Sequence, residues 1–199
     1  MKKTHVIAGF FTGIALFAIV SCQSGSGSAT NGEVTNRNSV VSNDSLIKKG
    51  AYLVNIMDCN ECHSPKIMTS AGPEPDPERL LSGHPANLPF PTVDTADLQS
   101  FVLFHPMSTA AAGPWGVSFA ANLTSDESGI GNWSEEQFIR AIRQGKQKGL
   151  ESGRTLLPPM PWRNYATHLK DEDLTAIFAY LKSTKPVQNV VPSPIDLQK

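Results

Sequence analysis

The stretch "MDCNECHSPK", residues 57–66, constrains this chain more than anything else in it. Cys59 and Cys62 stand three positions apart with His63 directly behind, so two thiols and an imidazole share about one turn of backbone. Three chemistries use two thiols at this spacing: a redox disulfide, half of a zinc site, and covalent attachment of a porphyrin. Each needs different company elsewhere in the sequence.

The third cysteine is accounted for at the N-terminus. "MKKTH" is a basic leader, "VIAGFFTGIALFAIV" is an apolar stretch, and Ser21-Cys22 follow, which together read as an export signal. The ending Ile19-Val20-Ser21-Cys22 resembles the bacterial lipobox, in which the cysteine is lipidated and becomes the first mature residue. Residues 1–21 are therefore expected to be a signal peptide, and Cys22 a lipid anchor facing the periplasm from a bacterial cell envelope. Removal of Lys2 and Lys3 would leave 15 of the 17 basic side chains against 18 acidic ones, a charge near -3. Such a balance gives little electrostatic steering and no sign of nucleic-acid binding. No run of 18 or more apolar residues predicts a membrane-spanning helix.

Residues 22–43 are small and polar, too poor in apolar side chains to fold, and read as a linker. A flexible tether of about 20 residues spans roughly 25 Å root-mean-square.

Three helices are legible beyond it. "SLIKKGAYLVNIMD" places Leu46, Gly50, Leu53, Val54 and Met57 on one face, with Asp44 as N-cap. "WSEEQFIRAIRQG" has Ser134 as cap, Gln137 to complete a capping box, a Trp133–Phe138 staple and Gly145 as its stop. "DEDLTAIFAYLKS" carries acids in its first turn, Lys182 in its last, and a stripe of Leu174, Ile177, Phe178 and Leu181, with Lys170 at the cap position. Between the first two helices, some 70 residues show little periodicity and much proline, and "DLQSFVLFHP" fits a short helix or a strand equally. The expected fold is all-α: three main helices over residues 44–191, a long irregular insertion, and a tail from 192 to 199.

This organisation chooses among the three chemistries. A thioredoxin-like pair opens a helix after a strand in a βαβ pattern; here it closes a helix, and no such pattern surrounds it. A structural zinc site needs two more close ligands, yet His84, His105 and His168 are scattered singly and Cys22 is taken. Cys-x-x-Cys-His is the attachment signature of haem c: two thioethers to the porphyrin, and the neighbouring imidazole on the iron. One covalent haem is expected at Cys59, Cys62 and His63.

For the iron's other face, "TLLPPMPWRNY" offers Met160 between Pro159 and Pro161. The prolines fix φ on both sides and forbid a helix, so a stiff loop presents one soft thioether. Met57 lies on the apolar face of its helix, Met68 is too near His63 to cross, and Met107 sits in the unreadable middle. His84, His105 or an open sixth position remain as alternatives to Met160.

With these segments in place, the chain resembles the class I c-type cytochromes. It is most similar to single-haem modules and dehydrogenase-partner subunits whose methionine loop reads "MPW" before a helix ending "AYL". "YLVNIMDCNECHSP", "ANLTSDESGIGNWSEEQFIRAIRQG" and "LPPMPWRNYATHLKDEDLTAIFAYLKS" carry the resemblance, over roughly residues 44–191. It implies close-packed first and last helices crossing at Gly50 and either Phe178 or Tyr180. It also implies Asn122 and Trp133 as candidates to bind a haem propionate, where the residue types alone suggest a turn residue and a staple. Residues 66–120 depart from a minimal cytochrome c.

The expected function is non-enzymatic electron transfer through one His63/Met160-ligated haem. The partners would be a dehydrogenase or quinol-oxidising donor and a cytochrome or terminal oxidase acceptor, at a membrane held by the lipid. The alternative is a haem enzyme or gas sensor with an open or displaceable sixth site.

Overall fold

A computed structural model describes residues 42–197. The expected signal peptide, Cys22 and nearly all of the expected linker lie outside the described residues.

The chain opens with α1 (Asn43–Ile56) and a one-turn α2 (Cys59–His63), followed by a hairpin of β1 (Lys66–Thr69) and β2 (Gly72–Pro75). An irregular run with a 3₁₀ turn at Asp97–Gln99 leads to β3 (Leu103–Phe104), β4 (Ala110–Gly113) and β5 (Gly116–Phe119). Then come α3 (Glu135–Arg143), α4 (Trp162–His168) and α5 (Asp171–Lys182). β1 and β2 pair antiparallel, and β3, β4 and β5 form a second antiparallel sheet in that order.

The all-α expectation is therefore overturned: the described residues form a mixture of helices and two antiparallel sheets. The strands are two to four residues long, too short for alternation to register against the turns around them. β4 is "AAAG", buried on both faces, whose composition favours helix by propensity. Two prolines in β2 are tolerated because its hairpin has no further strand to pair with on the other side. "DLQSFVLFHP" contains both structures, the 3₁₀ turn and then β3.

The helices assemble as their stripes predict, with local differences at their ends. Ser42, not Asp44, caps α1, accepting from the Ser45 amide at 3.3 Å. Ser134 caps α3, but Gln137 does not complete a box; its amide reaches forward to the Lys148 carbonyl at 2.7 Å. At α5 the Asp173 carboxylate accepts from the Lys170 amide at 3.0 Å, which is how a lysine serves at the cap position.

One core cluster joins Val54 of α1, Phe138 and Ile142 of α3, and Leu174, Ile177 and Leu181 of α5, with Leu81 and Ile130 from loops. Burying a side chain of this size contributes about 2 kcal/mol, whereas an exposed ion pair such as Lys49–Asp173 between α1 and α5 gives at most about 1 kcal/mol. The apolar stripes therefore hold the helices together. A second cluster, Leu98, Ala112 and Val117 with Phe90, Phe119 and Leu197 against it, forms the core of the insertion. Ile195 pairs with Val117, so the C-terminal segment closes the free side of β5.

Candidate haem site

α1 ends at Met57, and Asp58 turns the chain with φ 57° and ψ 38°. This is the left-handed region, in which aspartate is among the better tolerated residues. The turn lets α2 begin at Cys59, so Cys59, Cys62 and His63 come from a single short helix. Lys66 holds that helix from below: its buried ammonium donates to the carbonyls of Glu61 at 2.5 Å and of Asn60 and Ser64 at 3.3 Å. It thereby satisfies the carbonyls a helix end leaves open and offsets its negative pole. A lysine just past a helix end is a sequence signal for this role that the reading above missed.

The two thiols are free of each other. Burial, followed by the charge of Asp58, pushes the Cys59 thiol up to about 11, and burial raises Cys62 as well. A redox pair requires the opposite shift, because the thiolate is the nucleophile. No group of three or more His, Cys, Asp or Glu side chains able to hold a metal occurs among the described residues, which leaves no zinc site.

His63 accounts for what the thiols alone cannot. Its Nδ1 donates to the carbonyl of Ala121 at 2.8 Å, which fixes the ring's tautomer and leaves Nε2 with its lone pair free. Burial lowers its pKa, against the opposing effect of the Ala121 bond, and so favours the neutral imidazole that a metal ligand must be. Ala121 acts through its backbone, so nothing in its side chain could have announced the role.

Met160 borders the helical core cluster, as do Cys59, Met57, Trp133 and Tyr165, each partly buried. The loop that presents it is tied at Leu156, whose amide donates to the Gly145 carbonyl at 2.7 Å. Gly145 has φ 60°, and a Cβ there would lie 2.5 Å from the Trp162 ring, so the indole after "MP" rests on bare backbone. Arg163 covers the other side of that ring at 4.6 Å. From α4, the Tyr165 hydroxyl donates to the Met57 carbonyl at 3.4 Å. The helix that follows the methionine loop is thus joined to the turn that precedes Cys59.

The other candidates separate. His84 is fully buried, with Nε2 donating to the Leu88 carbonyl and Nδ1 accepting from Thr109, both at 2.8 Å; neither nitrogen is left for iron. His105 packs edge-on against it at 5.6 Å and accepts the Met107 amide on Nδ1. Asn122 is buried, its amide donating to the Val187 carbonyl at 2.8 Å, Ser128 Oγ at 3.2 Å and the Asn189 carbonyl at 3.3 Å, while its oxygen accepts from Thr124. It stitches the C-terminal segment to the turn after β5, and no amide hydrogen is left over for a propionate. Trp133 is half-buried beside the core, and its indole nitrogen makes no hydrogen bond among the described residues.

Comparison with known proteins agrees with this geometry. The chain is similar to the cytochrome c subunit of gluconate 2-dehydrogenase from Pantoea cypripedii, at 34% identity over 139 residues, 69% of this chain and 23% of that protein. Other relatives include further cytochrome subunits of dehydrogenases. The cytochrome c subunit of a quinone alcohol dehydrogenase from Gluconobacter oxydans (strain 621H) is 29% identical over 153 residues, 75% of this chain and 24% of that one. The fructose dehydrogenase cytochrome subunit of Gluconobacter japonicus is 38% identical over 87 residues, 43% of this chain and 17% of its own. The chain thus spans about a quarter of the length of the first two. No family model matches it.

Proposed function

We propose that this chain is an electron-carrying cytochrome c with one covalent haem, working beside a dehydrogenase. Cys59 and Cys62 would hold the porphyrin as thioethers, and His63 Nε2 and Met160 would ligate its iron. When bound, the haem supplies an iron that gains or loses one electron with little change in geometry.

The observation that carries this reading is the 2.8 Å bond from His63 Nδ1 to Ala121, made on the same one-turn helix as two unpaired, half-buried thiols. The bond aims and electronically tunes the imidazole. The core around Met57, Tyr165 and Trp133 supplies an apolar cradle that excludes water, and together with thioether ligation this favours the reduced state. The Trp133 indole, with its donor uncommitted, is the candidate partner for a propionate.

A dehydrogenase as donor is supported by the relatives described above, which are cytochrome subunits of such enzymes; a cytochrome or oxidase serves as acceptor. Lipidation at Cys22 would keep the carrier on the periplasmic side of a bacterial membrane, a reading supported by the leader and by Ile19-Val20-Ser21-Cys22.

Mass spectrometry of the purified chain tests the whole reading, because one spectrum reports both acyl chains and haem. The expected result is a polypeptide that keeps one haem after denaturation and acid-acetone extraction. A colourless extracted polypeptide would remove the covalent cofactor and the function with it.

A further inference from the structure

We propose that Ser118 is a positioning residue for Met160, so that one short run of chain, residues 118–121, sets both axial ligands. This rests on the His63/Met160 ligation proposed above.

Two bonds from that run point in two directions. The Ala121 carbonyl accepts from His63 Nδ1 at 2.8 Å. Three residues earlier, Ser118 Oγ donates to the carbonyl of Pro158 at 2.6 Å. Fully extended chain would separate these anchor points by only about 10 Å. The run itself is fixed from both sides: the Ala120 amide donates to the Thr109 carbonyl at 2.8 Å, and the Ala120 carbonyl accepts the His84 amide at 2.9 Å. The end of β5 and the residues after it, outside the helical core, thus supply a rigid spacer between the two ligand-bearing segments.

The hydroxyl's one hydrogen is accounted for. Trp115 Nε1 donates to Ser118 Oγ at 3.3 Å and occupies a lone pair, and the Ala111 carbonyl at 3.3 Å is the longer of two acceptors. The short contact is to Pro158, and Ser118 is only 8% exposed, so water does not compete for it.

The Met160 loop has few other means of being held. Pro158, Pro159 and Pro161 have no amide hydrogen, and the Met160 amide closes only a local turn to Leu157 at 3.3 Å. Among the described residues, the Ser118 bond is the one hydrogen bond that reaches residues 157–161 from a distant part of the chain. Prolines make the loop stiff but do not say where it points. Ser118 supplies the direction, two positions before the thioether.

The test is displacement of the methionine by imidazole in the oxidised, haem-loaded full chain, read from loss of the near-infrared sulfur-to-iron band. Ser118→Ala is expected to tighten apparent imidazole binding about three- to ten-fold, the range of one neutral hydrogen bond. Ser118→Val should behave like Ser118→Ala, and Ser118→Thr, of the same shape but with a hydroxyl, like the wild type. That pair carries the comparison if the alanine variant does not accumulate. In a Met160→Ala background, with imidazole binding read from the shift of the haem Soret band, the effect of Ser118→Ala should vanish, because there is no thioether left to displace. Unchanged imidazole affinity in Ser118→Ala or Ser118→Val overturns the proposal, and so does a rise that persists without Met160. A wild-type protein that retains haem but lacks the sulfur-to-iron band overturns the Met160 assignment first, and this inference with it.

Discussion

Gly50 of α1 lies directly against the backbone of Ala176 in α5. A methyl group on Gly50 would run into the Ala176 carbonyl and stand 2.7 Å from the Cβ of Tyr180. Of the two aromatics expected at this crossing, Tyr180 is the one that meets Gly50, while Phe178 stacks on Phe138 at 5.3 Å.

Gly50→Ala therefore sets two effects against each other. Alanine is the better helix former by about 1 kcal/mol, but the obstacle is rigid backbone, and overpacking of this kind costs about 1–3 kcal/mol. The net expectation is destabilisation by up to about 2 kcal/mol, seen as a lower denaturant midpoint with an unchanged slope. A midpoint at or above the wild type would show that α1 and α5 can separate at little cost.

Met160→Ala should lower the reduction potential, by an amount on the order of 0.1 V within the ~0.8 V that axial ligands span. The near-infrared sulfur band should disappear and the reduced protein should bind carbon monoxide. Potentiometric titration with parallel spectra measures both, and an unchanged potential would rule out Met160 as the ligand.

Asn122→Asp should cost more than Asn122→Ala. Aspartate replaces amide hydrogens that face the Val187 and Asn189 carbonyls with an oxygen that repels them, in a buried setting. Removing one partner of such a network costs about 1–3 kcal/mol, and an unpaired charge adds to that. Limited proteolysis should cut both variants after residue 184 faster than the wild type. Equal cleavage would mean that the segment's other bonds, such as those of Asn189 to the Ser82 and His84 carbonyls, hold it without Asn122.

The Lys49 ammonium, 2.6 Å away, and the Lys170 amide hold the Asp173 carboxyl below its usual pKa. A depressed folded pKa stabilises the fold above the unfolded value near ~3.9, and that contribution is lost as pH falls through the lower folded value. Asp173→Asn keeps an oxygen for the Lys170 amide and removes the ion pair. Its stability deficit, at most about 1 kcal/mol for so exposed a pair, should be present at pH 6 and shrink below pH 4. Denaturant midpoints measured across that window check it, and a pH-independent deficit would count against the ion pair.

The site was legible wherever chemistry lay in side chains at fixed spacing. Cys59, Cys62 and His63 are neighbours in the chain and come out on one helix, and the stripe residues Val54, Phe138, Leu174 and Leu181 meet in one core. Reading failed where the partner was distant or was backbone. The Ala121 carbonyl carries no mark of its bond to His63. Asn122, whose residue type suggests only a turn, has its amide engaged by carbonyls more than sixty residues away. Gln137 had the right spacing for a capping box, yet the Lys148 carbonyl competes for its amide.

The amino-acid order alone put Cys59, Cys62 and His63 side by side and set the helical stripes and the stiffness of the Met160 loop, because spacing, periodicity and proline geometry act within a few residues. Only the tertiary structure decided that residues 66–120 build two small sheets instead of an irregular insertion, and that one segment from them touches both His63 and the loop of Met160. Strands of two to four residues have no stability of their own. Their hydrogen bonds form only once the helical core has brought distant stretches of chain together.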